Sequence, residues 1–401
     1  MKVLYIVTAY DRRPDDGITP WLVEMFRRLR EHGVEAEVLA PSYRGLPSGR
    51  MPDGIMVHRY RYAPSRFEDL THDQTTPDRV RERPAYMILV PGYVAAGAVA
   101  ARRLAATGDY DLVHVHWPLP HVIHGWAARR AGGMPLVISF HGVEVTFARN
   151  TPIPFLVPFL RRATRTADAV TANSTYTAGL IHSLYDRPVE VLPFGSTVAA
   201  PEETDPAPMP VDGPFRLLFV GRLVERKGVH HLLRAIAVAR IRRDVHLDIV
   251  GTGPEEARLL KLAAELELDH TVTFHGFVSD EQLARHYVGA DAFVLPAVVD
   301  RKGDVEGLGV VLIEALAHGT PAIASDAGGI PDIVKHGQTG LLVPPGDPTA
   351  LAGAILELAA DPARAAALGR AGRRHVQERF SWDAIVPRLV GLYRGLVEPR
   401  T

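Results

Sequence analysis

The 401-residue chain contains no cysteine, which excludes a disulfide scaffold, a thiolate metal site and a cysteine nucleophile together. Lysine is scarce: Lys2, Lys227, Lys261, Lys302 and Lys335 stand among 45 basic residues, a bias that reports a GC-rich genome and says nothing of mechanism. An excess of charge is missing too, since 45 Lys plus Arg face 46 Asp plus Glu for a net charge of −1. Binding nucleic acid by counterion release needs a concentrated basic surface, so no nucleic-acid partner is expected. Long apolar runs are absent as well. The N-terminal run MKVLYIVTAY is cut by charge without a small-residue cleavage site and reads as a first strand. Tyr86–Ala100 is interrupted by Pro91 and falls short of the ~20 residues of a spanning helix. A soluble, cytoplasmic protein is expected.

What is present is ordinary globular material, 47% hydrophobic and 23% charged, in a length that favours two large domains. Short Val/Ile/Leu-rich runs alternate with helix-period segments, the pattern of β-α units whose parallel sheets are covered on both faces. Strands are predicted at Val3–Ala9, Glu35–Ala40, Leu112–His116, Leu136–Phe140, Ala169–Ala172 and Val189–Pro193. A first helix is expected from a cap at Thr19, with Pro20 at its first position, to Glu31, with Gly33 ending it. Residues 198–214, rich in Pro, Glu and Asp, read as a linker between an N-terminal domain (1–197) and a second domain (215–380). Strands resume at Arg216–Val220, His246–Val250, Val272–His275, Ala292–Leu295, Pro321–Ala324 and Gly340–Val343, and residues 381–401 carry a last helical pattern. The fold class is therefore α/β, with two Rossmann-like domains facing across a cleft in which the site is expected.

The most informative stretch runs from Asp304 to Glu314, DVEGLGVVLIE, followed by ALAHGTPAIASDAGGIPDIV. Glu306 precedes a glycine-rich turn and Glu314 follows eight residues later, in a helix expected to begin near Gly307. At helical rise the two carboxylates stand about 12 Å apart along the axis, the span from a hexose to a ribose across a diphosphate. The N–H groups of Gly307, Leu308, Gly309 and Val310 would form an anion site at the positive end of that helix. The plainer alternative is a first-turn Glu on the dipole and a solvated Glu beyond it, but Leu312, Ile313, Ala315 and Leu316 surround Glu314.

After the strand Arg216–Val220 comes Gly221-Arg222-Leu-Val-Glu-Arg-Lys227-Gly228, from which Arg222 and Lys227 can reach one anion, as a planar fork and a point charge. A solvated basic loop is the competing reading. The Gly251-Thr-Gly253 turn is read as backbone geometry. In the first half, Ser139-Phe-His141-Gly-Val-Glu144 ends a buried strand and offers His141 to a sugar hydroxyl or a phosphate; a satisfied structural histidine is the alternative. His114/His116, read as alternating across a strand, and His121/His124 lack an evident carboxylate partner, so no metal site is expected. Gly17, in Asp15-Asp16-Gly17-Ile18, sits where backbone can approach an acceptor or a phosphate, or simply turns the chain.

Taken together these motifs resemble family four of the retaining glycosyltransferases, which adopt the GT-B fold, through nearly the whole chain. The E-x(7)-E motif Glu306–Glu314 is the most specific part, supported by HGTPAIASDAGGIPDIV, GRLVERKG and the shorter SFHGVEVT. Where the family commonly has a paired-glycine loop, this chain has Asp16-Gly17. The resemblance implies that Arg222 and Lys227 hold a donor diphosphate, Glu314 the ribose, and Glu306 the donor sugar, with His141 facing that sugar as a second catalytic residue. It implies also that the last helix, after Phe380-Ser-Trp382, returns to the N-terminal domain. The expected activity is retaining transfer of a hexose from a nucleotide-diphosphate sugar to a hydroxyl of a sugar, lipid-linked or small-molecule acceptor, with no cofactor beyond that co-substrate. A GT-B nucleotide-sugar epimerase and a non-enzymatic two-lobed sugar-binding protein are the alternatives.

Residues 1–200 carry a net +4 and the remainder −5. With TPIPFLVPFLRRATR setting Phe155, Leu156, Phe159 and Leu160 beside Arg161, Arg162 and Arg165, this suggests at most weak, salt-sensitive contact with an anionic inner membrane face. A buried helix with solvated arginines is the favoured reading of that segment.

Overall fold

The computed structural model describes residues 1–12, 19–72, 76–198 and 213–398, so Gly17 and most of the 198–214 segment lie outside the described residues. The chain divides into two compact units: Met1–Asn173, Thr177–Leu192 and Ile385–Thr401 form the first, and Ser174–Tyr176 with Pro193–Ala384 the second.

The first unit is built on β1 (Lys2–Ile6), β2 (Glu35–Pro41), β3 (Gly49–Arg50), β4 (Met56–Tyr60), β5 (Leu112–His116), β6 (Leu136–Phe140), β7 (Ala169–Ala172) and β8 (Glu190–Val191). Their order is β3-β4-β2-β1-β5-β6-β7-β8, parallel except where β3 meets β4. β3 and β4 carry no strand signal in the sequence: β3 is two residues long, and His58 and Arg59 break the run MVHRY of β4. In the fold His58 pairs with Glu37 on the adjacent strand, and buried Arg59 donates to the Asp11 carbonyl.

The second unit contains β9 (Phe215–Val220), β10 (Val245–Val250), β11 (Val272–Gly276), β12 (Ala292–Leu295), β13 (Ala322–Ser325) and β14 (Gly340–Val343). All pairs are parallel, in the order β11-β10-β9-β12-β13-β14. Strand order reverses between β9 and β12. In doubly wound sheets ligands bind at the carboxyl ends flanking such a switch point.

The helix Pro20–Glu31 starts where the proline predicts, but Thr19 makes no side-chain cap; its hydroxyl donates to Asp11 Oδ1 instead. The apolar stretch that Pro91 was expected to interrupt is continuous from Pro84 to Thr107, and is long and apolar enough to cross a membrane. Pro91 is tolerated because it lies in the first turn of the helix Leu89–Thr107, where a backbone N–H has no helical partner to lose. One side of this helix packs on the first unit through Tyr93, Gly97, Ala101 and Ala105, while Met87, Ile88 and Val99 are exposed. In the helix Leu156–Thr166, Leu156 and Leu160 are buried, as the plainer reading of that segment required.

From Ile385 onward the last helix, Trp382–Val397, belongs to the first unit. Tyr393 is fully buried there, its hydroxyl 2.6 Å from both Tyr5 Oη and His114 Nδ1.

Candidate active site

In the second unit, β9 and β12 end side by side and the loops that follow carry the charged groups. After β9 a short turn at Glu225–Lys227 sets Arg226 and Lys227 next to each other. After β12 the chain loops through Asp304 to Gly309 and enters the helix Val310–Ala317. Lys227 Nζ lies 2.5 Å and Arg226 Nη1 3.0 Å from Glu306 Oε2, so one carboxylate oxygen receives both cations. Lys227 and Glu306 are both buried. Burial alone would raise the Glu306 carboxyl, but the charges and hydrogen bonds of Lys227 and Arg226 outweigh it and hold the group below the usual carboxylate range.

The GRLVERKG motif suggests Arg222 as the partner of Lys227. The structure instead brings Arg226 to Lys227, both on Glu306, and leaves Arg222 exposed at the start of the loop. The helix also begins later than expected, at Val310 rather than Gly307. Gly309 has φ +91°, a left-handed conformation outside the helix, and serves as its N-cap. Glu306 therefore stands in the preceding loop, so the 12 Å helical separation from Glu314 does not apply. Leu308 turns its side chain into the core and has only backbone to offer a ligand. The first-turn N–H groups are those of Val310 and Val311, while Leu312 N–H bonds the Gly309 carbonyl.

The Glu306 loop is clamped by a segment to which the sequence reading gave no role. Gly329 N–H donates to the Glu306 carbonyl at 3.0 Å. A Cβ on Gly328 would stand 2.0 Å from that same oxygen, and one on Gly329 would stand 2.2 Å from the Gly307 carbonyl. Only glycine permits this approach, which accounts for the paired glycines of SDAGGIPD. The Gly251–Gly253 turn is backbone geometry as expected, with Leu223 N–H donating to the Thr252 carbonyl.

Glu314 is buried rather than solvated, and accepts a 2.7 Å hydrogen bond from Tyr287 Oη. Burial pushes its carboxyl up to about 7, the Tyr287 bond opposing part of that rise. Tyr287 lies on the helix Asp280–Gly289, and its ring stacks on His318 at 5.2 Å. Nothing in the local sequence around Glu314 announces this partner.

In the first unit, His141 follows β6 and is buried in an aromatic nest. Its ring stacks on Trp117 at 4.3 Å and lies 5.8 Å from Trp21. His141 Nε2 is 3.2 Å from His116 Nδ1. Burial first, and His116 second, push His141 well below the ordinary imidazole range, so it is neutral at physiological pH. Its backbone N–H donates to the Glu144 carboxylate, which burial raises to about 7.

The expectation that His114 and His116 alternate across a strand is incorrect. Residues two apart share a face, and these rings stack with centroids 4.4 Å apart. His114 is held between Tyr393 Oη and Ser139 Oγ, each at 2.6 Å. His121 bonds Tyr93 Oη and the Trp117 carbonyl and is a satisfied structural histidine, whereas His124 bonds the Val94 carbonyl through Nε2 and keeps its buried Nδ1 without a hydrogen-bond partner.

Comparison with known proteins adds the following. The profile of "Glycosyltransferase Family 4" matches residues 16–200 and that of "Glycosyl transferases group 1" residues 202–375. The GDP-mannose-dependent alpha-(1-6)-phosphatidylinositol monomannoside mannosyltransferase of Mycobacterium tuberculosis is 35% identical, covering 98% of each chain. The D-inositol 3-phosphate glycosyltransferase of Thermobispora bispora is 30% identical over 95% of this chain and 90% of its own. Among solved structures, sucrose-phosphate synthase from Thermosynechococcus elongatus superposes with a TM-score of 0.78 at 27% identity, over 98% of each chain. Anabaena HepE in complex with UDP and glucose does so with a TM-score of 0.70 at 22% identity, over 99% of this chain and 100% of its own.

Proposed function

This chain belongs to glycosyltransferase family 4, with the GT-B fold, and we propose that it transfers mannose from GDP-mannose, with retention, to a hydroxyl of a mannosylated phosphatidylinositol. The observation that carries the donor side is the convergence of Lys227 and Arg226 on Glu306 beside the Val310 helix start. Two cations and a helix N-terminus supply fixed positive charge where a departing diphosphate develops negative charge, and they need no reorganisation when the bond breaks.

Lys227 and Arg226 are assigned to the diphosphate, with exposed Arg222 of the same loop as a further contact, together with the backbone N–H groups of the Gly307–Gly309 loop and of Val310 and Val311 at the helix start. Glu314 is assigned to the ribose hydroxyls and Glu306 to the transferred sugar. His141, neutral and held by His116, is assigned a hydroxyl of that sugar. In the reaction the bond from the anomeric carbon to the phosphate oxygen breaks, a bond from the acceptor oxygen forms on the same face, and the acceptor proton passes to the leaving diphosphate. The name of the Mycobacterium tuberculosis relative specifies an alpha linkage, and retention of the alpha-configured donor would give that product.

With arginine, lysine and backbone on the phosphates, no metal is assigned to catalysis, and turnover in excess chelator is the expected result. With a lipid acceptor, the location assigned to the enzyme is the cytoplasm, with peripheral contact at the inner face of the membrane. The family assignment leaves the epimerase and the sugar-binding protein without support.

The test is a thermal-shift and hydrolysis screen across GDP-, UDP- and ADP-sugars, since a ligand that binds the native state raises its melting temperature by mass action. GDP-mannose is expected to give the largest shift and the fastest slow hydrolysis. A preference for a UDP- or ADP-sugar would refute the donor assignment.

A further inference from the structure

At the edge of the second unit's sheet, a group of side chains outside the candidate active site comes together from three elements. β10 reads Val245-His-Leu-Asp-Ile-Val250 and alternates: Leu247 and Ile249 are buried in the core, while His246 and Asp248 are only partly buried, on the other face. β11 adds His275 to that face, in parallel register with Asp248 opposite Thr273. The helix Asp280–Gly289 supplies His286, and a capping box between Ser279 and Gln282 fixes its first turn.

His275 Nε2 lies 2.6 Å from Asp248 Oδ1. The rings of His275 and His286 are 4.6 Å apart, and one donor atom from each of Asp248, His275 and His286 lies within 4.8 Å of the others. His246 Nε2 stands 3.7 Å from Asp248 Oδ1 as a neighbour to the set. The three residues line a cavity of about 520 Å³.

We propose that Asp248, His275 and His286 form a zinc-class transition-metal site that pins the helix Asp280–Gly289 to the sheet edge. Two imidazoles and a carboxylate are borderline ligands that suit Zn²⁺ or Co²⁺, whereas Ca²⁺ and Mg²⁺ call for oxygen alone. Tetrahedral coordination at ligand distances of about 2.0–2.1 Å separates donor atoms by about 3.3 Å. The Asp248–His275 contact must open slightly and His286 must swing inward. The partial exposure of Asp248 and His275 leaves room for both movements. Metal would replace the shared proton between Asp248 and His275, and the fourth position would open into the cavity. There Arg216 and Arg285 suit an anionic fourth ligand such as chloride. The site is separate from the diphosphate cations, so it concerns the stability of the helix rather than the leaving group. It still reaches the site indirectly, because His286 adjoins Tyr287, the hydrogen-bond donor to Glu314.

The experiment titrates chelator-stripped full-length protein with Co²⁺, read by visible absorption, and with Zn²⁺, read by calorimetry and melting temperature. One equivalent is expected to bind, with tetrahedral cobalt bands and a rise in melting temperature. His275→Ala and Asp248→Asn should each weaken binding by more than about 100-fold, the upper end for loss of a mere outer-shell partner. His275→Asn serves as a second variant if His275→Ala does not fold. His32→Ala, in the first unit, should bind as the native chain does. Absence of a one-equivalent cobalt spectrum, or zinc binding that survives both ligand substitutions in folded protein, overturns the proposal.

Discussion

Lys227 Nζ lies 2.5 Å from Glu306 Oε2 in the buried floor of the second unit, joining the loop after β9 to the loop after β12. Removing one partner of a buried pair typically costs about 3–5 kcal/mol when the other charge is left alone, and Arg226, 3.0 Å from the same oxygen, keeps Glu306 partly paired, so the cost here falls below that range. Lys227→Ala is therefore expected to lower the melting temperature and to weaken GDP binding. Lys227→Ala/Glu306→Ala should recover part of the stability while GDP binding stays weak. Denaturation and calorimetry on the same preparations separate the two effects; recovery of GDP affinity in the double variant would contradict the assignment of Lys227 to the diphosphate. Glu306→Gln is expected to bind GDP nearly as the native chain does and to lose turnover.

Glu314 supplies a pH signature. Its carboxyl is raised to about 7 by burial, above the unfolded value of about 4.3. A group whose folded value is raised stabilises fully below its unfolded value, and that contribution fades as pH climbs through the folded one. Stability should thus fall between about pH 4 and pH 7, by an amount on the order of 3 kcal/mol from this residue. Glu144, also raised to about 7, adds a slope of the same sign. The informative quantity is the difference between the native chain and Glu314→Gln, which should lose its share of the slope and bind GDP more weakly. Equal slopes in chemical denaturation series at several pH values would argue against a buried, elevated Glu314.

The His116–His141 pair separates positioning from nucleotide binding. Both rings are pushed below the ordinary imidazole range by burial, His116 to about 3, so neither should contribute an acid limb to activity above pH 5. His141→Ala is expected to lower kcat/KM by about 100-fold and His116→Ala by less. Neither should alter the Kd for GDP, whose ligands are assigned to the second unit. A fall in GDP affinity that tracks the loss of activity would assign the pair to folding instead.

These three sites show what the letters carry and what they omit. Strands such as Leu136–Phe140 and Ala292–Leu295 are legible because parallel strands covered on both faces need near-continuous apolar runs. β4 is hidden because its polar residues find partners only in the folded sheet: His58 on Glu37, and Arg59 on the Asp11 carbonyl. Glu306, Glu314 and Lys227 stand out by spacing and by apolar surroundings. Their partners do not. Tyr287 is 27 residues from Glu314 in the chain and meets it only through packing of the helix Asp280–Gly289. Arg226 rather than Arg222 reaches Glu306 because of the Glu225–Lys227 turn, and the helix start is displaced by the backbone conformation at Gly309.

The exposed apolar residues around the helix Leu89–Thr107 bear on whether the proposed lipid acceptor is reached at a membrane surface. Met87 and Ile88, in the turn that precedes the helix, and Val99 within it are exposed, and Arg102 and Arg103 are exposed near its end. Association with vesicles containing anionic lipid is expected to be weak and to decline between low and high salt, because exposed charges are screened. Met87→Ser/Ile88→Ser should reduce flotation further without changing the melting temperature by more than a few degrees. Tight, salt-resistant flotation would point instead to an enzyme embedded in the bilayer.

Mannosyl transfer itself is tested most directly by incubating the purified enzyme with GDP-mannose and phosphatidylinositol monomannoside in excess chelator, followed by mass spectrometry and NMR of the lipid product. The expected product carries one added hexose per acceptor, joined through an alpha-configured anomeric carbon, with GDP released in equal amount. A beta linkage, or failure to use this donor and acceptor while another nucleotide sugar is consumed, would contradict the proposed transfer.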